Sequence, residues 1–330
     1  IDRFHRNPQM KCGEFLLQEK VPMRPIISKE RENLTEIDTI RKREEIWDRR
    51  VYTKEDIDDI KCHLLSSSTY TLMITNRGEG FSKDGNLFIN RWRKDHLAKP
   101  YGQFVYVKNL ENHELWSTTY VPTYKEPELY RVEFSTYKAS FYRKDGNIET
   151  EMDVFLLPEE LGEIRRVKLT NNGNEEMLLE TVSYFEVVGE SLESDLAHPA
   201  FNNLFIRTEA LEEQEGLLAY RRKRGGEKRD SWILHGVRTF GENSDKFQYE
   251  TNRANFIGRG NRMEKPRALS SRGLTNTVGV VVDPIMSMSK KIKIQPKEQV
   301  EIYYITAITR DKNDAMDILN KYNDENSIEI

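Results

Sequence analysis

Residues 76–95 contain a group of side chains with the chemistry of a sugar-binding surface. The segment reads NRGEGFSKDGNLFINRWRKD, and near its end Arg91 and Arg93 flank Trp92, with Asp95 two residues later. An indole ring stacks on the apolar face of a sugar, while a guanidinium group donates several hydrogen bonds in a fixed geometry. The cluster is therefore a candidate recognition surface for sugar hydroxyls.

The same residues also fit an ordinary β-strand. Side chains alternate between the two faces of a strand, so Arg91 and Arg93 would share one face and Trp92 would point to the other. Trp92 would then belong to the hydrophobic core, and the two arginines would lie on the solvated surface. Spacing alone favours this second interpretation.

The sequence lacks the common catalytic motifs. It contains no Gly-x-Ser-x-Gly, no glycine-rich phosphate loop ending in Lys-Ser or Lys-Thr, and no His-Glu-x-x-His. Its six histidines are scattered along the chain, so we expect no metal site and no cofactor. Because there are 55 acidic residues, the sequence does not single out a carboxylate pair for acid–base catalysis.

Composition and charge exclude several classes of function. The 330 residues carry a formal net charge of −4, which provides no long-range attraction for nucleic acid or acidic membranes. No run of about 18 apolar residues is present to span a bilayer. The only cysteines, Cys12 and Cys62, form no Cys-x-x-Cys motif, which favours a reducing, cytoplasmic setting, either free or as part of an inner-membrane protein. Because the chain begins with Ile1, we expect it to be a piece of a longer protein.

Two further segments are candidates for binding. Residues 221–229 form a basic run, but nearby glutamates balance its charge, so a solvated hairpin tip is the expected structure. Residues 195–205, which read DLAHPAFNNLF, form a predicted loop that contains His198 and Asn202. A loop of this length in a strand-rich domain is often functional or part of an interface, although plain packing is equally consistent with the sequence.

Period-two patterns predict the elements that position these residues. Met152 and Val154 alternate with Glu151 and Asp153, as in a half-buried strand. Similar short strands are predicted through residue 308, including one at 277–282, with almost no helix between them. The fold class predicted from these patterns is all-β, a large antiparallel β-sandwich.

A repeated tetrapeptide marks two turns of this predicted sandwich. Lys-Asp-Gly-Asn occurs at residues 83–86 and again at 144–147. Asp-Gly between strands is a strong hairpin signal, because both central positions of the turn take positive φ. We therefore predict two-residue hairpins with Asp and Gly as the central residues.

Six blocks of sequence, taken together, resemble a known family. They are FHRNPQMKCGEFLLQEKVP (4–22), the 76–95 segment, PYGQFVYVKN (100–109), DLAHPAFNNLF (195–205), GRGN (258–261) and TVGVVVDPIMSM (277–288). Their order and spacing resemble the N-terminal β-sandwich of the inverting glycoside phosphorylases, formerly glycosyltransferase family 36 and now glycoside hydrolase family 94. Within this family they look most like cyclic β-1,2-glucan synthases and 1,2-β-oligoglucan phosphorylases.

The resemblance implies a two-part enzyme. It implies a galactose-mutarotase-like β-supersandwich, a helical linker and an (α/α)6 barrel, with the catalytic Asp and the phosphate site on the barrel. In this scheme residues 1–65 are a helical and extended arm, 66–310 are the supersandwich, and 311–330 begin the linker helix. This chain would carry no catalytic residue of its own.

The resemblance also implies partners and a set of cleft-facing residues. The implied partners are the barrel of the parent chain, a β-glucan oligosaccharide and a second copy in a homodimer, with no nucleic acid and no membrane contact by this segment. The sandwich can lend a loop to the substrate cleft of the barrel. Together with the loop at 195–205, the matching positions make the predicted site Arg91, Trp92, Arg93, Asp95, Tyr101, His198 and Asn202.

Overall fold

The computed structural model describes residues 49–93, 99–222, 231–240 and 247–328 of the chain. The chain divides into two compact units, Ile1–Asp48 and Arg49–Ile330, and all described residues belong to the second. The part of the expected helical and extended arm before residue 49 therefore lies outside the described residues. In the rest of that arm, Lys54–Asp56 form a 3-10 turn, in which Thr53 and Asp56 form a capping box.

Eighteen strands are present within the described ranges. They are β1 (Arg50–Thr53), β2 (Cys62–Ser67), β3 (Tyr70–Thr75), β4 (Gly80–Asp84), β5 (Leu87–Asn90), β6 (Phe104–Asn109), β7 (Leu115–Ser117), β8 (Leu129–Phe134), β9 (Lys138–Asp145), β10 (Ile148–Leu156), β11 (Gly162–Asn171), β12 (Met177–Glu190), β13 (Ile206–Leu211), β14 (Gly216–Arg221), β15 (Ser231–Thr239), β16 (Gln248–Asn252), β17 (Pro284–Ile294) and β18 (Gln299–Thr309). Five short α-helices accompany them: α1 (Leu192–Ala197), α2 (Pro199–Asn203), α3 (Arg253–Ile257), α4 (Lys312–Lys321) and α5 (Glu325–Ile328). A π-helical turn occupies Ala268–Arg272.

The strands form two antiparallel sheets. The first has the order β1-β8-β9-β10-β11-β18-β15-β14-β13, and the second has the order β16-β17-β12-β5-β4-β3-β2, with β6 and β7 also joined through β12. This arrangement confirms the predicted all-β antiparallel sandwich. Strands β1 and β2 belong to these sheets, so the sheets begin within the segment that was predicted to be an arm.

Both repeated turns are hairpins, as predicted, but their central residues differ from the prediction. Asp84 pairs with Leu87 across the first turn, and Asp145 pairs with Ile148 across the second. The central residues are therefore Gly-Asn, and the glycines at 85 and 146 have φ of 56° and 60°. A single positive φ at the first central position is typical of a type II′ turn, in which glycine is preferred. The predicted central residues, Asp-Gly, were thus one position too early in the chain.

The strand predicted at residues 277–282 is wrong. In the structure this segment makes one isolated bridge, between Thr208 and Gly279. The carbonyl of Thr277 accepts from the backbone of Thr251, whereas that of Gly279 accepts from the backbone of Thr208. These partners lie in β16 and β13, at the edges of different sheets, so the segment links two edges and cannot form a ladder with either.

The segment at residues 195–205 is more regular than the predicted loop. It contains the end of α1 and the whole of α2, and Pro199 is the first residue of α2. A proline at this position loses no hydrogen bond, since the first amide of a helix has no partner within the helix. Pro199 was therefore a signal for the start of a helix, which the prediction of a loop did not use.

The main hydrophobic core lies between the two sheets, and a second core lies outside the first sheet. In the second core, α4 packs Ile318 and Leu319 against outward-facing residues of β14, β15 and β18. A Cβ added at Gly216 or Gly236 would come within 2.5 Å or 2.4 Å of Leu319. These two glycines therefore provide the space that lets α4 lie close against the sheet.

A polar network crosses the main core and joins the sheets. Glu163 on β11 is fully buried and accepts from Tyr70 at 2.9 Å, from Ser82, and from Arg165 at 2.8 Å. Arg165 also donates to the carbonyl of Gln103 at 3.0 Å. Because these partners come from both sheets, the carboxylate helps to fix how the sheets face each other.

Candidate functional site

The end of β5 positions the arginine–tryptophan cluster against β12. The Asn90 side chain accepts from the Ser82 amide at 2.9 Å and donates to the Gly80 carbonyl at 3.0 Å. The Arg91 amide then donates to the Glu186 carbonyl of β12 at 2.9 Å. Hydrogen bonds to β4 through Asn90 and to β12 through its own amide therefore hold the backbone at Arg91 in place, independently of the Arg91 side chain.

The Arg91 side chain is the centre of a buried charge network. It donates to Glu186 at 3.0 Å, to Asp195 at 3.1 Å and 3.2 Å, and to the side-chain oxygen of Asn203 at 2.9 Å. Its side chain is only 10% exposed. Arg91 thus joins β5, β12 and the helix pair α1–α2, and most of its donors are already used inside the protein.

Arg93 approaches the same carboxylate as Arg91. Its guanidinium lies 2.5 Å from an Asp195 carboxylate oxygen and donates to the Asp195 backbone carbonyl at 3.2 Å. Asp195 is 1% exposed on α1, whose N-terminus is capped by Ser191. Among the described residues, Asp195 therefore orients both arginines. Asp95, a member of the predicted site, lies outside the described residues.

Glu186 is the second anion of this network. We call the network the charge cluster, and it consists of Arg91, Arg93, Lys99, Arg253, Glu186 and Asp195. Glu186 contacts Lys99 at 2.5 Å and Arg253 at 3.1 Å, besides Arg91. Burial raises the pKa of Glu186, but the charges of Lys99, Arg91 and Arg253 outweigh it and bring the pKa down to about 2. Glu186 is therefore ionised at neutral pH and cannot act as a general acid there.

This depressed pKa predicts a pH-dependent stability. An unfolded Glu titrates near 4.3, whereas folded Glu186 titrates at about 2. Ionised Glu186 therefore contributes about 3 kcal/mol to the free energy of unfolding at pH values above the unfolded pKa. This contribution is lost as pH falls from about 4.5 to about 2. We expect the difference in unfolding free energy between wild type and Glu186→Gln to shrink across this window.

Urea unfolding at several pH values between about 6 and about 2.5 measures this difference. Other titrating carboxylates are common to both proteins and cancel in the comparison. A wild-type advantage that stayed constant down to the lowest pH would contradict the assignment of Glu186 as an ionised partner of Arg91, Lys99 and Arg253.

The two predicted aromatic residues lie beside the charge cluster and are partly exposed. The ring centroids of Trp92 and Phe81 are 5.6 Å apart, so Trp92 lies on the opposite side of the chain from its neighbouring arginines. The ammonium of Lys99 lies 4.9 Å from the centroid of the Tyr101 ring. Burial and the nearby Glu186 raise the pKa of Tyr101, which keeps its hydroxyl protonated as a donor.

The remaining predicted residues lie at different depths in the helix pair. His198 is exposed at the junction of α1 and α2. Asn202 is fully buried, where its amide donates to the Val188 carbonyl at 3.2 Å and its oxygen accepts from Arg221 at 3.0 Å. The structure therefore brings His198 to the surface and uses Asn202 inside the protein.

Sequence inspection missed several members of the charge cluster and its supports: Glu186, Asp195, Asn203, Lys99 and Arg253. One signal was available, because Glu186 stands in the apolar strand β12, and a carboxylate in such a strand needs charged or hydrogen-bonding partners. Its partners could not be identified in this way. Arg91 is 95 residues from Glu186 and 104 residues from Asp195 in the chain.

An exposed apolar surface adjoins this helix pair. It consists of Leu196, Phe201, Leu204, Val278, Val280 and Val282, with exposed fractions of 39–79%. Asn203 links the two segments that carry these side chains, since it donates to Asp283 at 2.8 Å. Asn203, which also accepts from Arg91, therefore connects the charge cluster to this exposed apolar surface. An exposed apolar patch of this kind is typical of a protein–protein interface.

The described residues contain neither a candidate metal centre nor a helix that could cross a membrane. No group of three or more His, Cys, Asp or Glu side chains in the described ranges could hold a metal ion. No helix in the described part of the chain is long and apolar enough to cross a bilayer. The chemistry that the charge cluster offers is the orientation of donors, because each of its carboxylates is paired with cations.

Comparison with known proteins places this geometry in context. The family model described as glycosyl hydrolase 94, supersandwich domain, matches residues 48–325. The chain is also 27% identical over 325 residues to the cyclic beta-(1,2)-glucan synthase NdvB of Rhizobium meliloti (strain 1021). That match covers 97% of this chain and 11% of the relative, so the chain spans a small part of the relative's length.

Solved structures with a similar arrangement include three carbohydrate-active proteins. They are a bacterial glucoamylase complexed with acarbose (9% identity, 85% of this chain and 39% of that one, TM-score 0.46), a putative kojibiose phosphorylase from human microbiome (7%, 82% and 34%, 0.44) and a putative aldose 1-epimerase from Escherichia coli K12 (10%, 76% and 99%, 0.43). Scores below 0.5 at such low identity say nothing about activity.

Proposed function

Because this chain belongs to the glycosyl hydrolase 94 family, as its supersandwich domain, we propose that it is a non-catalytic, carbohydrate-binding and supporting domain of a β-1,2-glucan-processing enzyme. The match of residues 48–325 to the family model is the observation that carries this proposal. The glucan linkage is suggested by the relative named a cyclic beta-(1,2)-glucan synthase. The parent enzyme would be such a synthase or a glycoside phosphorylase.

In this proposal the chemistry takes place on a separate (α/α)6 barrel of the parent protein. The general acid and the phosphate site would belong to that barrel, and α4 at Lys312–Lys321 would begin the linker to it. We propose a division into an arm (1–65) whose last residues contribute β1 and the start of β2 to the sheets, a supersandwich (66–310) and a linker start (311–330). The pairing of Glu186 and Asp195 with cations supports a supporting role, since neither carboxylate is placed as a proton donor.

We propose that the sugar contacts come from the partly exposed rim of the charge cluster. Trp92 and Tyr101 would offer ring faces, Arg93 its remaining donors, and exposed His198 a ring nitrogen. Arg91 and Asn202 would not contact the sugar themselves but would position the residues that do, because their side chains are hydrogen-bonded to Asp195 and Arg221. Asp95, which lies outside the described residues, stays a predicted member of this rim.

The exposed apolar surface beside α1 and α2 supports a packing role as well. Val280 and Val282 are 75% and 79% exposed. Burying apolar surface stabilises a contact by about 25 cal/mol per Å². We propose that the barrel, or a second copy in a homodimer, covers this surface in the complete protein.

A purely structural module with no sugar contact is the second candidate. The observation that favours it is the internal commitment of both arginines, whose guanidinium groups already contact Asp195 at 3.1 Å and 2.5 Å. In either case we propose a cytoplasmic location. The exposed, unbridged thiol of Cys62 is consistent with a reducing compartment.

Replacement of two rim residues separates these candidates. We expect His198→Ala and Tyr101→Ala each to weaken binding of short β-1,2-glucan oligosaccharides to the 330-residue chain by about tenfold, because each removes a direct contact. Isothermal titration calorimetry measures the affinity. Tyr137→Ala is a matched control, since Tyr137 is an aromatic residue that is 65% exposed on the β8–β9 turn.

Two results would contradict the sugar-binding proposal or the non-catalytic one. Absence of measurable glucan binding by the wild-type chain would favour the purely structural module. Glucan binding that both rim variants and Tyr137→Ala leave unchanged would place the sugar contact outside this rim. Phosphate-dependent release of glucose 1-phosphate from β-1,2-glucans by the chain alone would show that the active site lies within these 330 residues.

A further inference from the structure

A pocket lies on the outer face of the first sheet, beside its edge strand β13. Its volume is about 380 Å³, near the lower end of the range for small-molecule sites, so its size suits a single sugar or nucleotide. Leu204 and Val280 line it and also belong to the exposed apolar surface, so the pocket borders that surface. None of the described residues that line it belongs to the charge cluster or to the proposed rim.

Strand register places an arginine and two aromatic side chains of the pocket in one row. Arg207 of β13 is the direct partner of Tyr220 of β14, which in turn is the partner of Trp232 of β15. Side chains of directly paired residues lie on the same face of a sheet. Tyr220 is two residues after Leu218, which packs in the core that α4 covers, so the row lies on this outer face.

Tyr220 and Trp232 form an aromatic pair in this pocket. Their ring centroids are 4.2 Å apart, with an angle of 34° between the ring planes. Both residues line the pocket and are only partly buried. The pair therefore offers flat apolar surface of the kind on which the apolar face of a sugar or the face of a nucleobase can stack.

Two arginines of the pocket have no partner within the described part of the chain. Arg207 and Arg222 are both exposed, and neither side chain makes a hydrogen bond or an ion pair with another described residue. The Arg222 amide donates to the Phe205 carbonyl at 3.1 Å, so Arg222 extends the pairing of β14 with β13 and lies diagonally across from Arg207. Diagonal neighbours on one face are about 7–8 Å apart, within reach of long side chains. Both guanidinium groups can therefore contact one anion.

The charge of the pocket also favours an anion. Among the described lining residues Glu209 is the only carboxylate, and Lys312 contacts it at 2.8 Å. The lining thus carries a net positive charge even before Lys312 is counted. This differs from the charge cluster, where Arg91 and Arg93 are already paired with Asp195. Free guanidinium groups bind phosphate through two parallel hydrogen bonds, which makes phosphate the anion that best matches this pair.

From the aromatic pair, the two arginines and the size of the pocket, we propose that it binds a small phosphate monoester that carries a ring, either a sugar phosphate or a mononucleotide. The ring packs against Tyr220 and Trp232, and the phosphate oxygens accept from Arg207 and Arg222. This site goes beyond the proposed function, because its ligand is a small anion and its residues are distinct from the rim proposed for glucan.

Fluorine NMR of the 330-residue chain labelled with 5-fluorotryptophan tests this proposal. Trp232 lines the pocket, and single Trp→Phe variants assign the resonances of the four tryptophans. At least one of glucose 1-phosphate, glucose 6-phosphate and AMP should shift the Trp232 resonance saturably, with Kd at or below about 2 mM. The ranking of the sugar phosphates against AMP identifies which ring the pocket takes. Trp116, buried in the main core, is an internal control, and Trp92 reports separately on the proposed rim.

The separate halves of the ligand provide a further comparison. Glucose and adenosine offer a ring without the anion, whereas inorganic phosphate offers the anion without a ring. At constant ionic strength each should bind at least about tenfold more weakly than the monoester that contains it, because each makes only one of the two kinds of contact.

Arginine variants connect the Trp232 signal to this pocket. Arg207→Gln and Arg222→Gln should each weaken binding of the monoester about tenfold, because each removes a charged donor. Neither should lower the unfolding midpoint, since neither side chain has a partner among the described residues. Arg259→Gln is the matched control: Arg259 is an exposed arginine two residues after α3, so the variant loses the same charge but should keep its affinity.

Four outcomes would overturn the proposal. The first is the absence of a saturable Trp232 shift with all three monoesters. The second is binding of inorganic phosphate as tight as that of the monoesters, which would leave the aromatic pair without a role. The third is an affinity that Arg207→Gln and Arg222→Gln leave unaltered. The fourth is an equal loss in Arg259→Gln, which would indicate general electrostatic attraction. Glucan binding at the rim, followed through Trp92, can succeed or fail independently of all four.

Discussion

Glu186→Ala is expected to lower the free energy of unfolding by about 3–5 kcal/mol. The change removes the anion that Arg91, Lys99 and Arg253 contact at 3.0 Å, 2.5 Å and 3.1 Å. Lys99 and Arg253 would stay partly buried without the anion that they contact, and Arg91 would keep only Asp195 as a charged partner. An uncompensated buried charge is far more costly than a lost surface pair. Urea unfolding followed by far-UV circular dichroism measures the loss.

The effect should depend on burial, and a surface pair provides the comparison. Glu176 contacts Lys293 at 2.8 Å with both side chains at least 42% exposed. Glu176→Ala should therefore cost less than about 1 kcal/mol. Equal losses for the two variants would mean that the Glu186 carboxylate is solvated and that the charge cluster does not hold β5 against β12.

Glu163→Ala is the second substitution with a large expected effect, and it acts in the main core. Arg165 would keep its buried charge but lose the carboxylate that contacts it at 2.8 Å, and Tyr70 would lose its acceptor at 2.9 Å. We expect the free energy of unfolding to fall by about 3–5 kcal/mol. Glu163→Gln should lose less, because the amide oxygen can still accept one hydrogen bond.

A carboxylate on the neighbouring strand is the control for this second prediction. Glu151 on β10 contacts Lys168 on β11 at 3.1 Å, with side chains 33% and 28% exposed. Glu151→Ala should change the urea midpoint only slightly. If the midpoints of Glu163→Ala and Glu151→Ala coincided, the polar network inside the sandwich would not contribute to joining the sheets.

Local patterns in the sequence were sufficient for the fold class. Alternation around Met152 and Val154 correctly predicts that both side chains of β10 are buried in the core. The strand pairs with β11 over its whole length and with β9 over residues 148–155. Alternation predicts which face is buried, because side chains in a strand repeat every two residues. The presence of both repeated hairpins also followed from the sequence, although their central residues are Gly-Asn and not the predicted Asp-Gly.

Errors arose where a segment's partners decided its conformation. Residues 277–282 have strong β propensity, yet their backbone partners lie in different sheets, so no ladder forms. The helices α1 and α2 were overlooked because they are only six and five residues long. Elements this short obtain most of their stability from packing, which a sequence pattern does not record.

For the arginine–tryptophan cluster, alternation predicted the directions of the side chains but not their environment. Arg91 and Arg93 both reach Asp195, whereas Trp92 contacts Phe81 on the other side. The arginines are nevertheless buried pairing groups, so they are neither ordinary surface residues nor fully available to a ligand.

The sequence by itself determined the sandwich, its hairpins and the family, because these depend on periodicities and blocks that are local in the chain. Tertiary structure alone decided which carboxylates meet Arg91, since Glu186 and Asp195 are 95 and 104 residues away. It also decided that Trp232 and Thr309 are neighbours, through the pairing of β15 with β18. Pair interactions between distant segments depend on sheet order and register, and neither quantity can be obtained from the spacing of residues within one segment.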